Sequence, residues 1–210
     1  MVPTYIITII YAITFLIGII NFKKVINNNS IYFFVIVLLG FLVELQGTLS
    51  QYVFEHNSRV GYNLYKIASL LLYFLFFYKY IINQFKKRLV ALIAVIFIVF
   101  SIYHYIFIHQ TILLFNMSVS LAGAFCLIGI ILVYLADVLN SNKILKLQFV
   151  LPFWVAIGNM FFFIGYLPVF ALAKKLGFYY MYSFIVLTLN IIMNCIFIIG
   201  FLKSKKEFNE

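Results

Sequence analysis

Long apolar segments, separated by short polar links, make up most of the chain. A helix that crosses a membrane needs about 20 consecutive and mostly apolar residues. Segments of this kind lie at 3–21, 32–53, 62–83, 89–109, 111–137, 148–170 and 178–201. The sequence therefore predicts an all-α, polytopic membrane protein with one transmembrane domain over residues 1–210, a seven-helix bundle. Six helices are the alternative, if 89–137 packs differently.

Composition supports a membrane protein and argues against a nucleic-acid partner. The chain is 66% hydrophobic and only 10% charged, whereas soluble domains are about 45–50% apolar and about 25% charged. The net charge of +10 comes from short basic clusters that lie between the apolar segments. This placement is typical of residues that orient helices in a bilayer. We therefore expect the lipid bilayer, and no nucleic acid, as a partner.

The basic residues are distributed unequally between the two sides of the predicted bundle. One side collects eleven of them: Lys23, Lys24, Lys79, Lys86, Lys87, Arg88, Lys143, Lys146, Lys203, Lys205 and Lys206. The other side has four: Arg59, Lys66, Lys174 and Lys175. Cytoplasmic loops carry the excess of Lys and Arg. The pattern predicts a multi-pass protein of the plasma (cytoplasmic) membrane, with its N-terminus outside and its C-terminus in the cytosol.

The second apolar segment carries a stripe of small and polar residues on one helical face. The stripe consists of Gly40, Glu44, Gly47, Thr48, Gln51 and Glu55. Small residues allow close helix approach, and polar residues in a membrane need partners that lipid does not supply. We therefore expect this face to point into the bundle.

Glu44 is the most unusual member of this stripe, because ionisable residues inside a membrane span are rare and tend to be functional. A count of equal depths at about 1.5 Å per residue reaches polar residues on the later segments. The predicted ligand-binding residues are Glu44, Thr48, Gln51, Ser120, Asn159, Asn190 and Asn194. The alternative is that these side chains only hold helices together by hydrogen bonds.

Other residues that could bear chemistry give weaker patterns. His56, His104 and His109 fall near the outer face, and we expect exposed interfacial side chains there rather than a metal site. Asp137 ends the fifth segment and is predicted to be a charge at the rim. We expect no bound metal and no cofactor.

The sixth segment suggests close helix packing. Gly158 and Gly165 are seven residues apart, which places them on one face as a seam for a neighbouring helix. Pro152 and Pro168 are predicted to mark the ends of this helix.

Several enzyme classes lack their required residues in this sequence. Intramembrane proteases need a Ser–His pair or two aspartates, but the chain has one aspartate and no histidine at mid-depth. A retinal protein needs a lysine in its last helix, and 178–201 contains none. The sequence therefore predicts a protein that is not an enzyme and has no catalytic residues.

Two stretches resemble a group of small bacterial seven-helix integral membrane proteins. The first runs from Glu44 and Leu45 through Asn57 to YNLY at 62–65 and the aromatic run LLLYFLFFYKYI. The second is PFWVAIGNMFFFIGYLPVF in the sixth segment. The resemblance implies an association with separately encoded signalling proteins, and it carries over no functional residue.

Together these features favour a sensory or regulatory membrane module that binds a small or lipophilic ligand in the bundle. Because no loop exceeds roughly ten residues, such a module is expected to signal through a separately encoded signalling protein. A small-solute transporter or channel is the alternative, as is a structural subunit of a membrane complex.

Overall fold

The computed structural model describes residues 4–50, 59–109, 117–140, 144–176 and 179–209, which are helical apart from short connections. The α-helices of these residues are α1 Thr4–Ile20, α2 Phe22–Val25, α3 Ile31–Leu49, α4 Arg59–Tyr80, α5 Gln84–Tyr103, α6 Met117–Leu139, α7 Leu151–Leu176 and α8 Tyr179–Lys203. A π-helical turn, His104–His109, extends α5, and a 3₁₀ turn, Ile144–Phe149, precedes α7. The described residues contain no β-strand, in agreement with the predicted all-α class.

Six long helices form a closed ring. Around this ring α1 packs on α3, α3 on α4, α4 on α6, α6 on α7, α7 on α8, and α8 on α1. Helix α5 lies outside the ring, where it contacts α4 and α6. Most of its apolar side chains are exposed, including Leu92, Val95 and Val99. Such a surface is suited to contact with lipid rather than with water.

Five of the described helical segments are long and apolar enough to cross a membrane. They are Ile31–Leu49, Gln84–Ile108, Ser118–Leu139, Leu151–Phe170 and Tyr182–Lys203. The seven predicted spans also included α1, which is shorter, and α4, whose first turns contain Arg59, Asn63 and Lys66. The structure thus supports a helical membrane protein, while length and apolar character alone select fewer than seven spans.

The start of α5 and the end of α7 are among the helix boundaries that differ from the sequence prediction. Helix α5 begins at Gln84 rather than at 89, because the Asn83 side chain accepts hydrogen bonds from the backbone N–H groups of Phe85 and Lys86 at 2.9 and 3.3 Å. Helix α7 continues to Leu176, so the prediction that Pro168 ends it is wrong. A proline inside a helix removes one backbone hydrogen bond, and here the helix continues past it.

A cluster of buried phenylalanines packs inside the ring, in one half of the bundle's length. Phe33 is the centre of this aromatic cluster, with ring centroids at 4.9 Å from Phe197, 5.4 Å from Phe201 and 5.8 Å from Phe76. All four rings are almost fully buried. Because the four come from α3, α4 and α8, this cluster joins three helices of the ring through apolar burial.

Beyond this cluster, chain segments that are far apart in sequence meet at one end of the bundle. We call this end the basic end, and it consists of residues 22–30, 79–88, 144–151 and 203–209. The buried Asn209 side chain donates to the Val25 carbonyl at 2.9 Å and accepts from the Leu151 N–H at 2.8 Å. Its carbonyl accepts a hydrogen bond from the Asn27 side chain. The Lys24 ammonium donates to a carbonyl at the end of α8. Hydrogen bonds therefore hold residues 204–209 against the rest of the bundle.

Candidate functional site

A cavity of about 480 Å³ lies inside the ring, and each of the six ring helices contributes to its wall. Its lining residues are Tyr11, Glu44, Tyr62, Tyr65, Lys66, Ser69, Leu70, Tyr73, Ser120, Asn159, Phe162, Phe163, Tyr166, Tyr182, Val186, Asn190 and Met193. The wall is mainly aromatic and aliphatic, with hydroxyls, amides and two ionisable side chains distributed over it. Ligand pockets commonly have this make-up and lie at about 300–1,000 Å³.

Glu44 is held in the cavity wall by residues of two neighbouring helices. The Tyr62 hydroxyl on α4 donates a hydrogen bond of 3.2 Å to Glu44 Oε2. On the other side, the Thr8 hydroxyl of α1 lies 3.2 Å from the Glu44 carbonyl and 2.7 Å from the Thr48 hydroxyl. The described part of the polar stripe, from Gly40 to Thr48, therefore faces the bundle, as predicted, and it contacts both α1 and α4.

The glycines of this stripe explain how Tyr62 and Tyr11 come so close to the backbone of α3. A Cβ at Gly47 would stand 2.2 Å from the Tyr62 hydroxyl, and one at Gly40 would stand 2.6 Å from a Tyr11 ring carbon. Contacts this short are not tolerated between non-bonded heavy atoms. Only glycine at these positions lets the two tyrosines lie against the α3 backbone.

Asparagines supply amide groups on α7 and α8. Asn159 and Asn190 each donate from Nδ2 to the carbonyl four residues earlier, at 2.8 and 2.9 Å. This local bond uses one donor of an amide that has two donors and one acceptor. Both side chains can therefore form a further hydrogen bond with a molecule in the cavity.

The structure brings four of the seven predicted ligand-binding residues together: Glu44, Ser120, Asn159 and Asn190 all line the cavity. Thr48 and Asn194 instead form helix contacts next to it. Thr48 pairs with Thr8, and Asn194 Oδ1 accepts a 2.9 Å hydrogen bond from the buried Thr14 hydroxyl of α1. The seventh, Gln51, lies outside the described residues, as do Glu55, His56 and Asn57.

Tyrosine is the most numerous residue type in the cavity wall, yet none of the six tyrosines was among the predicted ligand-binding residues. A signal for three of them is present, since Tyr62, Tyr65, Ser69 and Tyr73 follow one another at intervals of three and four residues on α4. That spacing places them on one helical face. Tyr166 similarly lies seven residues, about two turns, after Asn159 on α7.

Two titratable residues are more buried than the sequence suggested, and the prediction for the first of them is wrong. His104 was expected to be exposed at the interface, but its ring is 6% exposed and lies 5.6 Å from the Phe100 ring, measured between centroids. Asp137 was expected to be a rim charge, and it does lie against the basic end, but its side chain is only 8% exposed. It forms an ion pair with Lys86 at 3.1 Å and accepts the Ile82 N–H at 2.7 Å. Through these two contacts, Asp137 holds the α4–α5 connection against the end of α6.

Among the described residues, no group of three or more His, Cys, Asp and Glu side chains lies together in a way that could hold a metal ion. The chemistry of the cavity thus rests on one carboxyl group, one amine and a set of neutral donors and acceptors. Such a set can bind and orient a molecule by hydrogen bonds and by contact with aromatic rings.

Replacing Glu44 tests whether the carboxyl group has a role beyond helix packing. Glu44→Leu should lower the thermal stability in detergent, because the Tyr62 hydroxyl loses its acceptor at a cost of about 1–3 kcal/mol. Glu44→Gln keeps the size and an acceptor oxygen, so it should retain stability but lose the response to a ligand. A leucine variant as stable as the parent would place the side chain outside any buried network. A glutamine variant that keeps the full response would reduce Glu44 to a packing role.

Comparisons with known proteins give no match to this chain, whether with protein-family models, with curated proteins or with solved structures.

Proposed function

We propose that this protein is a sensory or regulatory membrane module that binds a small or lipophilic ligand in the cavity and signals to a separate partner. The observation that carries this proposal is the cavity itself. All six ring helices contribute to its wall, so a ligand inside would contact every helix whose position matters to the bundle. Binding that favours one arrangement of these helices would shift the population of states.

The arrangement of the ring favours a binding site over an open channel. The aromatic cluster around Phe33 lies inside the ring, in the half of the bundle's length that is next to the basic end. A continuous pore needs a polar or wide path through both halves. The alternative of a transporter would need this cluster to open, which would separate four closely packed phenylalanine rings.

Helix α8 offers a route from the cavity to a partner. It contributes Val186, Asn190 and Met193 to the cavity wall and continues without a break to Lys203. Beyond it, Asn209 bonds to the ends of two other elements. A ligand that displaces α8 would therefore also change the contacts of residues 204–209 at the basic end. We propose this end as the surface that a signalling partner reads.

The distribution of charge supports the orientation of the proposed module in the plasma membrane. Lys24, Lys86, Lys203 and Lys205 all lie at the basic end, where their ammonium groups contact carbonyls, Asp137 or aromatic rings. We propose that seven helices cross the bilayer, with the basic end in the cytosol and the N-terminus outside. In this orientation the cavity lies in the half of the membrane that faces away from the cytosol.

Reporter fusions test this topology. A reporter that works only in the cytosol should be active when it is joined after Glu210 and inactive when it is inserted at Ser58. The reason is that the loops with the basic excess stay in the cytosol, which places Ser58 outside. The same reporter inserted at Asn140, in the link after α6, is the matched internal control and should behave as the C-terminal fusion does. Activity of the Ser58 fusion in the cytosol would reverse the orientation.

A filled cavity tests the proposed function. Ser120→Phe places a ring in the cavity, whereas Ala136→Phe places the same ring at an exposed position of the same helix, α6. A compound that binds the cavity should raise the melting temperature of the parent and of Ala136→Phe but not of Ser120→Phe. The gain is about 2.7 kcal/mol at a concentration of 100 times Kd.

The same compound then separates the sensor from the transporter. In proteoliposomes, a sensor should bind it without moving it across the bilayer, and hydrogen exchange at 203–209 should change on binding. Accumulation of the compound inside the vesicles would favour the transporter instead. Equal stabilisation of all three proteins would place the binding site outside the cavity and contradict the proposal.

A further inference from the structure

We propose that the ligand of the cavity is an organic cation, with its ammonium group near Glu44 and its apolar body among the tyrosine rings. This inference rests on the proposed function, because it names the chemical class of the ligand for the same site. It depends on three features of the wall: an acid with no basic group within ion-pair distance among the described side chains, a large number of aromatic rings, and apolar side chains beside them.

The first feature is the surroundings of Glu44. Among the residues whose side chains the structure describes, the ion pair is that of Lys86 and Asp137, and no basic nitrogen lies within 4 Å of the Glu44 carboxyl group. Its neighbour is the neutral hydroxyl of Tyr62 at 3.2 Å. Glu44 is half-buried, and a carboxylate that is partly removed from water is costly unless a positive charge compensates it. A ligand ammonium group would supply that charge from inside the cavity.

The second feature is the ring content of the wall. Six tyrosines and two phenylalanines line the cavity. The face of an aromatic ring carries negative charge density and attracts an ammonium group within about 6 Å of its centroid. The same faces repel an anion. A wall rich in such faces beside a carboxyl group therefore selects for positive charge.

The third feature is room for an apolar body. Leu70, Val186 and Met193 lie in the same wall, and Phe162 stacks on Tyr166 with ring centroids 5.6 Å apart. The volume of about 480 Å³ is within the range of pockets for small organic molecules. An amine with a hydrocarbon or aromatic body would use both the acid and the apolar part of the wall.

Lys66 also lines this cavity and defines the competing class of ligand. It lies one turn after Tyr62 on α4 and is not within ion-pair distance of Glu44. If Lys66 rather than Glu44 dominated recognition, the cavity would prefer an anion of the same shape. The charge preference of the cavity thus decides between the two side chains.

Three probes of nearly equal shape measure this preference. They are benzyltrimethylammonium, its neutral isostere neopentylbenzene, and the anion phenylmethanesulfonate. Binding to the purified full chain in detergent is followed by thermal shift and by calorimetry. We expect the cation to bind at least about tenfold more tightly than the neutral probe, because its positive charge is attracted by the Glu44 carboxyl group and by the aromatic rings of the wall. The anion should bind most weakly.

Matched variants assign the preference to a residue. Glu44→Gln should reduce the affinity for the cation about tenfold or more and leave that for the neutral probe within about twofold. Glu207→Gln removes an exposed acid at the basic end and should change neither affinity. Lys66→Met should leave the preference for the cation in place. Retention of that preference in Glu44→Gln would overturn the assignment to Glu44.

Two further outcomes separate this inference from the proposed function. Equal binding of the cation and the neutral probe, or preference for the anion that is lost in Lys66→Met, would overturn the cation class and leave a ligand-binding cavity. Failure of all three probes to bind the parent would count against both the cation class and the proposed ligand-binding module.

Discussion

Gly158→Leu should destabilise the bundle more than any other single substitution proposed for α7. A Cβ at this position would lie 2.6 Å from Cε1 of Phe197 and 3.4 Å from the Met193 carbonyl oxygen. The Phe197 ring has no space into which it could move, because it is 2% exposed and packs edge-on against Phe33. Overpacking of a tight core costs about 1–3 kcal/mol, and the three further carbons of leucine add to the clash. We expect a lower melting temperature and poor accumulation in the membrane.

A second glycine provides the control for this experiment. A Cβ at Gly129 on α6 would meet no atom within 4 Å. Gly129→Ala should therefore be neutral or stabilising by about 0.5–1 kcal/mol, since alanine favours a helix more than glycine does. Gly158→Ala should already destabilise. If Gly158→Ala and Gly158→Leu melted like the parent, the close contact between α7 and α8 would be absent.

Asp137→Ala should have the second largest effect, because one carboxylate holds together three groups at the basic end. The Ile82 N–H would lose its acceptor, the contact with the Asn83 N–H at 3.4 Å would be lost, and Lys86 would lose its ion pair. We expect a loss of about 2–3 kcal/mol in the free energy of unfolding, less than for a fully buried pair because Lys86 is partly exposed. Thermal unfolding in detergent measures it.

Two milder variants separate the charge from the hydrogen bonds. Asp137→Asn keeps an acceptor oxygen for Ile82 but loses the ion pair, and Lys86→Met loses only the ion pair. Both should cost less than about 1 kcal/mol, since partly exposed ion pairs contribute about 0–1 kcal/mol. If Lys86→Met were as damaging as Asp137→Ala, the ion pair rather than the backbone hydrogen bonds would be the stabilising contact.

Local pattern was enough to predict much of this architecture. Apolar segments of about 20 residues place the long helices, because a helix in lipid must be apolar along its whole length. The spacing of Gly40, Glu44, Gly47 and Thr48 predicted their common face, and the seven-residue interval of Gly158 and Gly165 predicted a seam that packs on α8. Equal-depth counting also brought Glu44, Ser120, Asn159 and Asn190 to one cavity.

The unexpected burial of Asp137 comes from a contact between segments that are distant in sequence. His104 and Asp137 lie near the ends of apolar segments, a position that suggests exposure. Asp137 is buried because the α4–α5 connection folds over it, with Ile82 as its partner 55 residues earlier in the chain. No periodicity within one segment records such a neighbour.

The sequence by itself determined the helical class, the positions of the long helices and the face of α3 that turns inward. These properties follow from the hydrophobicity of each residue and from the helical repeat, both of which are local. Only the tertiary structure decided that six helices close into a ring with α5 outside. Ring closure also decided that six tyrosines line one cavity with Glu44 and that Asn209 joins the ends of α2 and α7. These contacts depend on which helices become neighbours, and that choice is made by the packing of whole helices against one another.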